Sequence, residues 1–156
     1  MAPIGVASLL LMWQTLAPGN LLVATQKLHD ADLSKSVVLL IYSNPKAAIG
    51  LIVNRPVEKE KKWSGGPIPL GSNALVKTST APENSQRILA DVYMVPAKDS
   101  VKLTGEFRIY TGTCGWTMVQ LREEVARGDW RVIAGKSEIV FDPHPETVWE
   151  RLAKGR

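Results

Sequence analysis

Apolar residues in this chain fall in short runs separated by turn-forming residues, and the runs read mostly as strands. Leu21 to Ala24 is one such run, and Val37 to Tyr42 is a longer one rich in β-branched residues, the composition of a strand buried on both faces. Between them, Leu28 to Ser36 is polar and carries Asp30, Asp32 and Ser34. It reads as a turn or short helical connection whose side chains bond to nearby backbone. Asn44 and Pro45 mark a turn, and Ile49 to Val53 resumes as a strand, so Val37 to Val53 is expected to form a β-hairpin. Pro56 ends it, because proline lacks the N–H that a ladder uses. Gly65, Gly66, Pro67 and Pro69 form a corner that cannot lie inside a helix. Ala74 to Lys77 and Ile88 to Val95 are further strands, with a polar loop at Ala81 to Gln86 between them. Phe107, Ile109 and Thr111 alternate with Glu106, Arg108 and Tyr110 at the period of a half-buried strand.

Only late in the chain does the period become helical. Thr117 can cap a helix that runs to Arg127, with Met118, Leu121 and Val125 on one stripe, Glu123, Glu124, Arg122 and Arg127 in water, and Gly128 at the left-handed stop. Trp130, Val132 and Ala134 alternate as a strand, and Ile139 to Phe141 reads as another, joined through a turn at Gly135. Pro143 and Pro145 precede a last short helix at Glu146 to Ala153. Many short strands with two late helices give an α+β domain. Neither a Rossmann glycine turn nor a P-loop nor a G-x-S-x-G elbow occurs.

Composition narrows the function classes. The 156 residues fit one domain, assigned here to 20–154, and 45% hydrophobic with 22% charged residues is the range of a folded globular chain. A net charge of +4 permits weak attraction to nucleic acid or anionic lipid, but the densest run, Lys59, Glu60, Lys61 and Lys62, reads as a solvated loop. Cys114 is the sole cysteine, so no internal disulfide forms, and with only His29 and His144 as imidazoles no metal or other cofactor is expected. Residues 1–19 admit two readings, a signal-like segment or a docked N-terminal one. Ile4 to Trp13 is apolar but too short to span a bilayer, and no Lys or Arg precedes it.

Two segments could carry recognition chemistry. At Gly50 to Pro56 a strand delivers Asn54 and Arg55 to its end, where the arginine fork could meet a carboxylate or phosphate; turn closure and a surface ion pair explain the same residues. At Gly112 to Trp116 a glycine-rich turn before a helix start could gather backbone amides toward an anion, with Gly115, Trp116 and Gln120 at its wall; tight packing around a core indole is the structural alternative. Cys114 could be activated by the helix start, or be a small buried hydrophobe. Ser36 with His29 is conceivable as nucleophile and base, but nothing in their spacing requires it.

Taken together, the segments resemble the YqgE/AlgH family. The opening Leu21-Leu22-Val23-Ala24, Ser36 to Leu40 and Gly50 to Pro56, the corner Gly65-Gly66-Pro67-Ile68, the series Gly112, Gly115-Trp116, Gln120-Leu121 and Gly128-Asp129-Trp130, and the closing Val140-Phe141-Asp142 with Val148-Trp149 occur in family order from Leu21 to Leu152. The resemblance implies antiparallel short strands curled into a pseudo-barrel with flanking helices. It implies no established activity. Some members carry a transcriptional-regulator label, yet this sequence has no helix-turn-helix, recognition helix or zinc finger. Three departures stand out: a connection of only Val57 to Ser64 before the glycine corner, Leu33 where an aromatic is common, and Thr113-Cys114 in place of tyrosine-alanine.

The sequence therefore points to a non-enzymatic binding or interaction module, with Asn54, Arg55, Gly65, Gly66, Gly115, Trp116 and Gln120 as its expected ligand-binding residues. An unknown protein or a small anionic ligand would be the partner. An enzyme using Cys114 or Ser36, and a regulator by family label alone, are the alternatives. The family resemblance implies a cytoplasmic location, with export through a weak N-terminal signal as the alternative, and no transmembrane helix is expected.

Overall fold

The computed structural model describes residues 16–57 and 62–154. The N-terminal signal-like run and the charged positions Lys59, Glu60 and Lys61 lie outside the described residues; Lys62 is exposed.

Ten strands form one sheet. They are β1 (Asn20–Ala24), β2 (Val37–Ser43), β3 (Ala47–Ile52), β4 (Pro56–Val57), β5 (Lys62–Ser64), β6 (Ile68–Lys77), β7 (Gln86–Leu89), β8 (Val92–Pro96), β9 (Glu106–Thr117) and β10 (Trp130–Ala134). Their order is β10-β1-β2-β3-β9-β6-β8-β7, with β4 paired to β5 and β5 to β9. Every pairing is antiparallel except β5 with β9. Among the described residues three α-helices, α1 (Met118–Ala126), α2 (Ser137–Val140) and α3 (Val148–Lys154), and two 3-10 helices, Ala97–Lys102 and Pro145–Thr147, complete the fold.

The sheet curls until its two ends meet. A side chain placed on Gly19, just before β1, would lie 2.7 Å from the carbonyl oxygen of Ile88 in β7, and Gln86 of β7 donates to Ile41 O at 3.2 Å. The result is a half-barrel whose seam is side-chain contact rather than a ladder. β2 runs through its centre. Val37, Leu39 and Ile41 face an inner core with Leu21, Leu51, Leu75 and Tyr110, while Val38 and Leu40 face an outer core with Leu22, Ile52, Trp116 and Leu121 beneath α1.

The expected hairpin is formed by β2 and β3, and Asn44 makes its turn by accepting from the N–H groups of Lys46 and Ala47, both at 2.8 Å. Thr117 caps α1 by accepting from Gln120 N–H at 3.1 Å, and Gly128 beyond its end adopts φ +87°. Four expectations need correction. Gly112 to Trp116 is not a turn before the helix: β9 continues through it to Thr117, and its last four residues pair with β3. Ile88 to Val95 is two strands, because the chain turns at Ala90 and Asp91, where Asp91 O accepts from Thr78 N–H at 2.9 Å. Ile139 to Phe141 is not a strand; it belongs to the short helix α2 and its end, held by Ser137 Oγ donating to Asp91 Oδ2 at 2.8 Å and by Arg108 donating to Val140 O at 2.9 Å. Glu124, assigned to the solvated side of the helix, is 8% exposed. Two tryptophans from outside the helix cover that side.

Strand β9 carries the least predictable feature. Tyr110 is fully buried in the inner core, whereas Cys114 and Trp116, which share its parity, are buried in the outer one. The switch occurs at Gly112, whose φ of +83° is strained for any residue with a Cβ. Opposite it, β6 shifts register between Ile68 and Ser72, and the bulged residue Leu70 is left 70% exposed.

An apolar hollow beside a buried Trp-Glu-Trp cluster

The residues expected to bind a ligand separate into three groups. Asn54 and Arg55 pin the Asp30 to Ser36 connection: Asn54 Oδ1 accepts from Val37 N–H at 2.9 Å and its Nδ2 donates to Lys35 O at 3.0 Å. The Arg55 guanidinium donates to the carbonyls of Asp32 and Ser34, the latter at 2.9 Å. That fork is occupied by backbone. The connection itself is the polar turn anticipated, with Asp30 Oδ1 accepting from Asp32 N–H at 2.8 Å.

Gly65 and Gly66 form the second group, and their smallness is steric. A Cβ on Gly65 would lie 2.4 Å from Gly112 O, and one on Gly66 2.3 Å from Thr113 C, so this corner crosses β9 in backbone-to-backbone contact. Gly65 N–H donates to Thr111 O and Gly65 O accepts from Ile52 N–H, both at 2.8 Å. Cys114 is sealed beneath the same crossing, 2% exposed, with Sγ 3.6 Å from Gly65 O. Burial pushes its thiol up to about 12, against a weaker downward pull from the Arg55 guanidinium and with a further rise from Asp30. Ser36 is fully buried and its hydroxyl donates to Leu33 O at 2.6 Å, while His29 is exposed.

The third group is Gly115, Trp116 and Gln120. Gln120 is exposed on the first turn of α1. Trp116 packs edge-on against Trp130, ring centroids 5.9 Å apart and planes at 87°. Both indoles donate to one oxygen: Glu124 Oε1 accepts from Trp116 Nε1 at 3.3 Å and from Trp130 Nε1 at 2.9 Å. The acid on the helix thereby joins the end of β9 to the start of β10.

On its other side, Trp116 borders a hollow of about 630 Å³ at the mouth of the half-barrel. Ile41, Ile49, Ile68, Leu70 and Met94 supply most of its apolar lining, with Gly115 and Thr113 in its wall and Tyr42, 46% exposed, also lining it. The parity switch at Gly112 is what turns Thr113 and Gly115 toward the hollow and Cys114 away from it. β9 pairs with β3 as far as Thr117 but with β6 no further than Thr113. Met118 N–H donates to Lys46 O at 2.8 Å, so by ladder alternation Cys114 and Trp116 direct their peptide groups to β3 and Gly115 directs its own to the unpaired side. Leu70, Ile49 and Met94 had no signal in the sequence; the Pro69-Leu70-Gly71 tripeptide inside a strand was the one local hint of a bulge.

Among the described residues no cluster of three His, Cys, Asp or Glu could hold a metal ion. No helix among them is long and apolar enough to cross a membrane.

A family model described as AlgH-like (DUF179) matches residues 21–155. The chain belongs to the AlgH-like family. Among curated proteins, this AlgH-like chain is 26% identical over 166 residues to a UPF0301 protein of Chlorobium chlorochromatii, covering 92% of this chain and 88% of the relative. It is 28% identical over 163 residues to a UPF0301 protein of Streptomyces avermitilis, covering 87% and 84%. Two solved structures share the fold: protein DIP2367 of Corynebacterium diphtheriae, with a TM-score of 0.77 at 21% identity over 90% of this chain and 87% of that one, and the solution structure of AlgH from Pseudomonas aeruginosa, with 0.69 at 22% over 88% and 86%. The curled antiparallel half-barrel is thus the family architecture.

Proposed function

We propose that this AlgH-like chain is a non-enzymatic binding module and that the hollow between the β6 bulge and Trp116 is its recognition surface, occupied by an extended apolar peptide segment of a partner protein. The observation that carries this reading is the conjunction of an apolar hollow with an unpaired stretch of strand at Gly115. An open strand edge is matched by another extended backbone, and an adjoining apolar hollow by alternate side chains of that backbone. Leu70 fits the role: a leucine 70% exposed at the tip of a bulge contributes little to the fold and much to a contact. The raised thiol of Cys114 and the occupied hydroxyl of Ser36 lend no support to the catalytic alternative.

The test is a surface-displayed library of random heptapeptides selected on the folded chain, with affinities then measured on the winners by tryptophan fluorescence. Selected peptides are expected to alternate apolar residues, and Leu70→Asp should weaken them about tenfold or more while leaving the melting temperature within about 2 °C, since the side chain is exposed. Selection of peptides with no apolar alternation, or equal affinity for Leu70→Asp, would refute the reading. Arg55 is a poor probe, because its loss unpins the Asp30 to Ser36 connection.

A further inference from the structure

The hollow carries on its own rim a segment of the kind it is read as accepting. Strand β6 opens with Ile68-Pro69-Leu70-Gly71. Ile68 pairs with Thr113 and Ser72 with Thr111, so the three residues between them have no counterpart on β9. β8 does not reach them either, because its pairing with β6 starts at Asn73. Pro69, Leu70 and Gly71 are therefore extended, exposed and without a ladder partner among the described residues. Such a segment presents an apolar side chain and open backbone together.

Leu70 cannot fill the hollow that it lines, and 70% of it stays exposed beside that hollow. A knob standing next to a hole of matching chemistry is what a twofold interface uses, because each copy then both inserts its knob and receives one. Charge favours the same partner. The chain carries +4, so two copies repel over most of their surface. None of the residues lining the hollow is charged, so contact there buries no ion.

Building on the reading of the hollow as a peptide-recognition surface, we infer that its partner is a second copy of this chain. Two copies meet about a twofold axis, with Leu70 of each seated in the other's hollow among Ile49, Met94 and Trp116. Two leucine anchors make a small interface, so the dissociation constant is expected on the order of 100 µM.

Sedimentation equilibrium of the whole chain from about 5 µM to about 1 mM brackets that constant and tests the inference. A monomer–dimer equilibrium is expected. Leu70→Asp places an ion in each apolar contact and should weaken association about tenfold or more. Val101→Asp removes a side chain that is 87% exposed but outside the hollow, and should leave association unchanged. A peptide selected on the hollow should dissociate the dimer, since both compete for one site. A chain monomeric throughout, association undiminished by Leu70→Asp or equally weakened by Val101→Asp, or a dimer that persists with the peptide saturating would each overturn the inference. Where no dimer forms but peptides bind and require Leu70, the hollow stays a recognition surface for a different protein. Where neither forms, the recognition surface falls with it.

Discussion

Two buried clusters among the described residues set tryptophan beside a charged side chain, and they solve the problem of the indole in opposite ways. Under α1, Glu124 accepts from the N–H groups of both Trp116 and Trp130. In the inner core, Arg108 instead lies over the face of Trp63, 4.2 Å from the ring centroid, and faces Phe141 at 5.5 Å, while its guanidinium donates to Val140 O and to Asp142 O at 2.7 Å. There the Trp63 N–H and the Tyr110 hydroxyl stay buried and unbonded, the rings 6.1 Å apart. Burial raises the pKa of the Tyr110 hydroxyl far above the ordinary value, against the downward pull of the neighbouring Arg108 guanidinium. One cluster is a satisfied hydrogen-bond network and the other an apolar core that tolerates two orphan polar atoms. Removing the acceptor of the first should therefore cost stability, whereas removing an orphan polar atom of the second should not.

The largest effect is expected from Glu124→Leu. It strands two buried indole donors at once, each worth about 1–3 kcal/mol, so denaturant unfolding should show a loss of about 2–5 kcal/mol. A loss below about 1 kcal/mol would mean the cluster is not a network. Arg108→Met comes next: it keeps much of the packing on Trp63 but leaves the carbonyls of Val140 and Asp142 without their donor, at a cost of about 1–3 kcal/mol, with faster amide exchange in α2 as the local sign. The smallest effect at neutral pH belongs to Tyr110→Phe, which deletes an unbonded hydroxyl and should leave stability within about 1 kcal/mol of the parent or above it.

That last variant sharpens the contrast at high pH. Tyr110 and Cys114 both have folded-state pKa values raised by burial, the thiol to about 12. Their contributions are present in full below the unfolded values of about 10 and 8.5, and are lost as pH rises from there toward the folded values, because only the unfolded chain sheds its protons. Stability should accordingly fall on the alkaline side from about pH 9, and Tyr110→Phe should flatten the part of that fall above about pH 10. An unchanged alkaline slope would show that the hydroxyl ionises as freely folded as unfolded.

Much of this fold was readable because local chemistry and tertiary structure agree. Asn44 before Pro45 closes the β2–β3 hairpin, and Thr117 and Gly128 bound α1 where the pattern put them. Most of the failures have as their cause a partner remote in sequence. Ile139 to Phe141 is apolar enough for a strand, yet Asp91 and Arg108 hold Ser137 to Val140 as a helical turn. The helical stripe of Met118 and Leu121 does not show that two tryptophans close over its flank, so Glu124, three residues past Leu121, read as solvated. The expected site divided for the same reason: Arg55 found backbone carbonyls rather than an anion, whereas Gly115 reached the hollow because Gly112 reverses the strand between it and Tyr110.

That reversal makes chain length along β9 a matter of inside and outside. Deleting one residue next to Gly112 would do more than shorten a strand: every side chain beyond it would trade surfaces, pulling Trp116 out of the outer core and orphaning the helix that follows. The middle of the longest strand in this protein therefore cannot gain or lose a single letter.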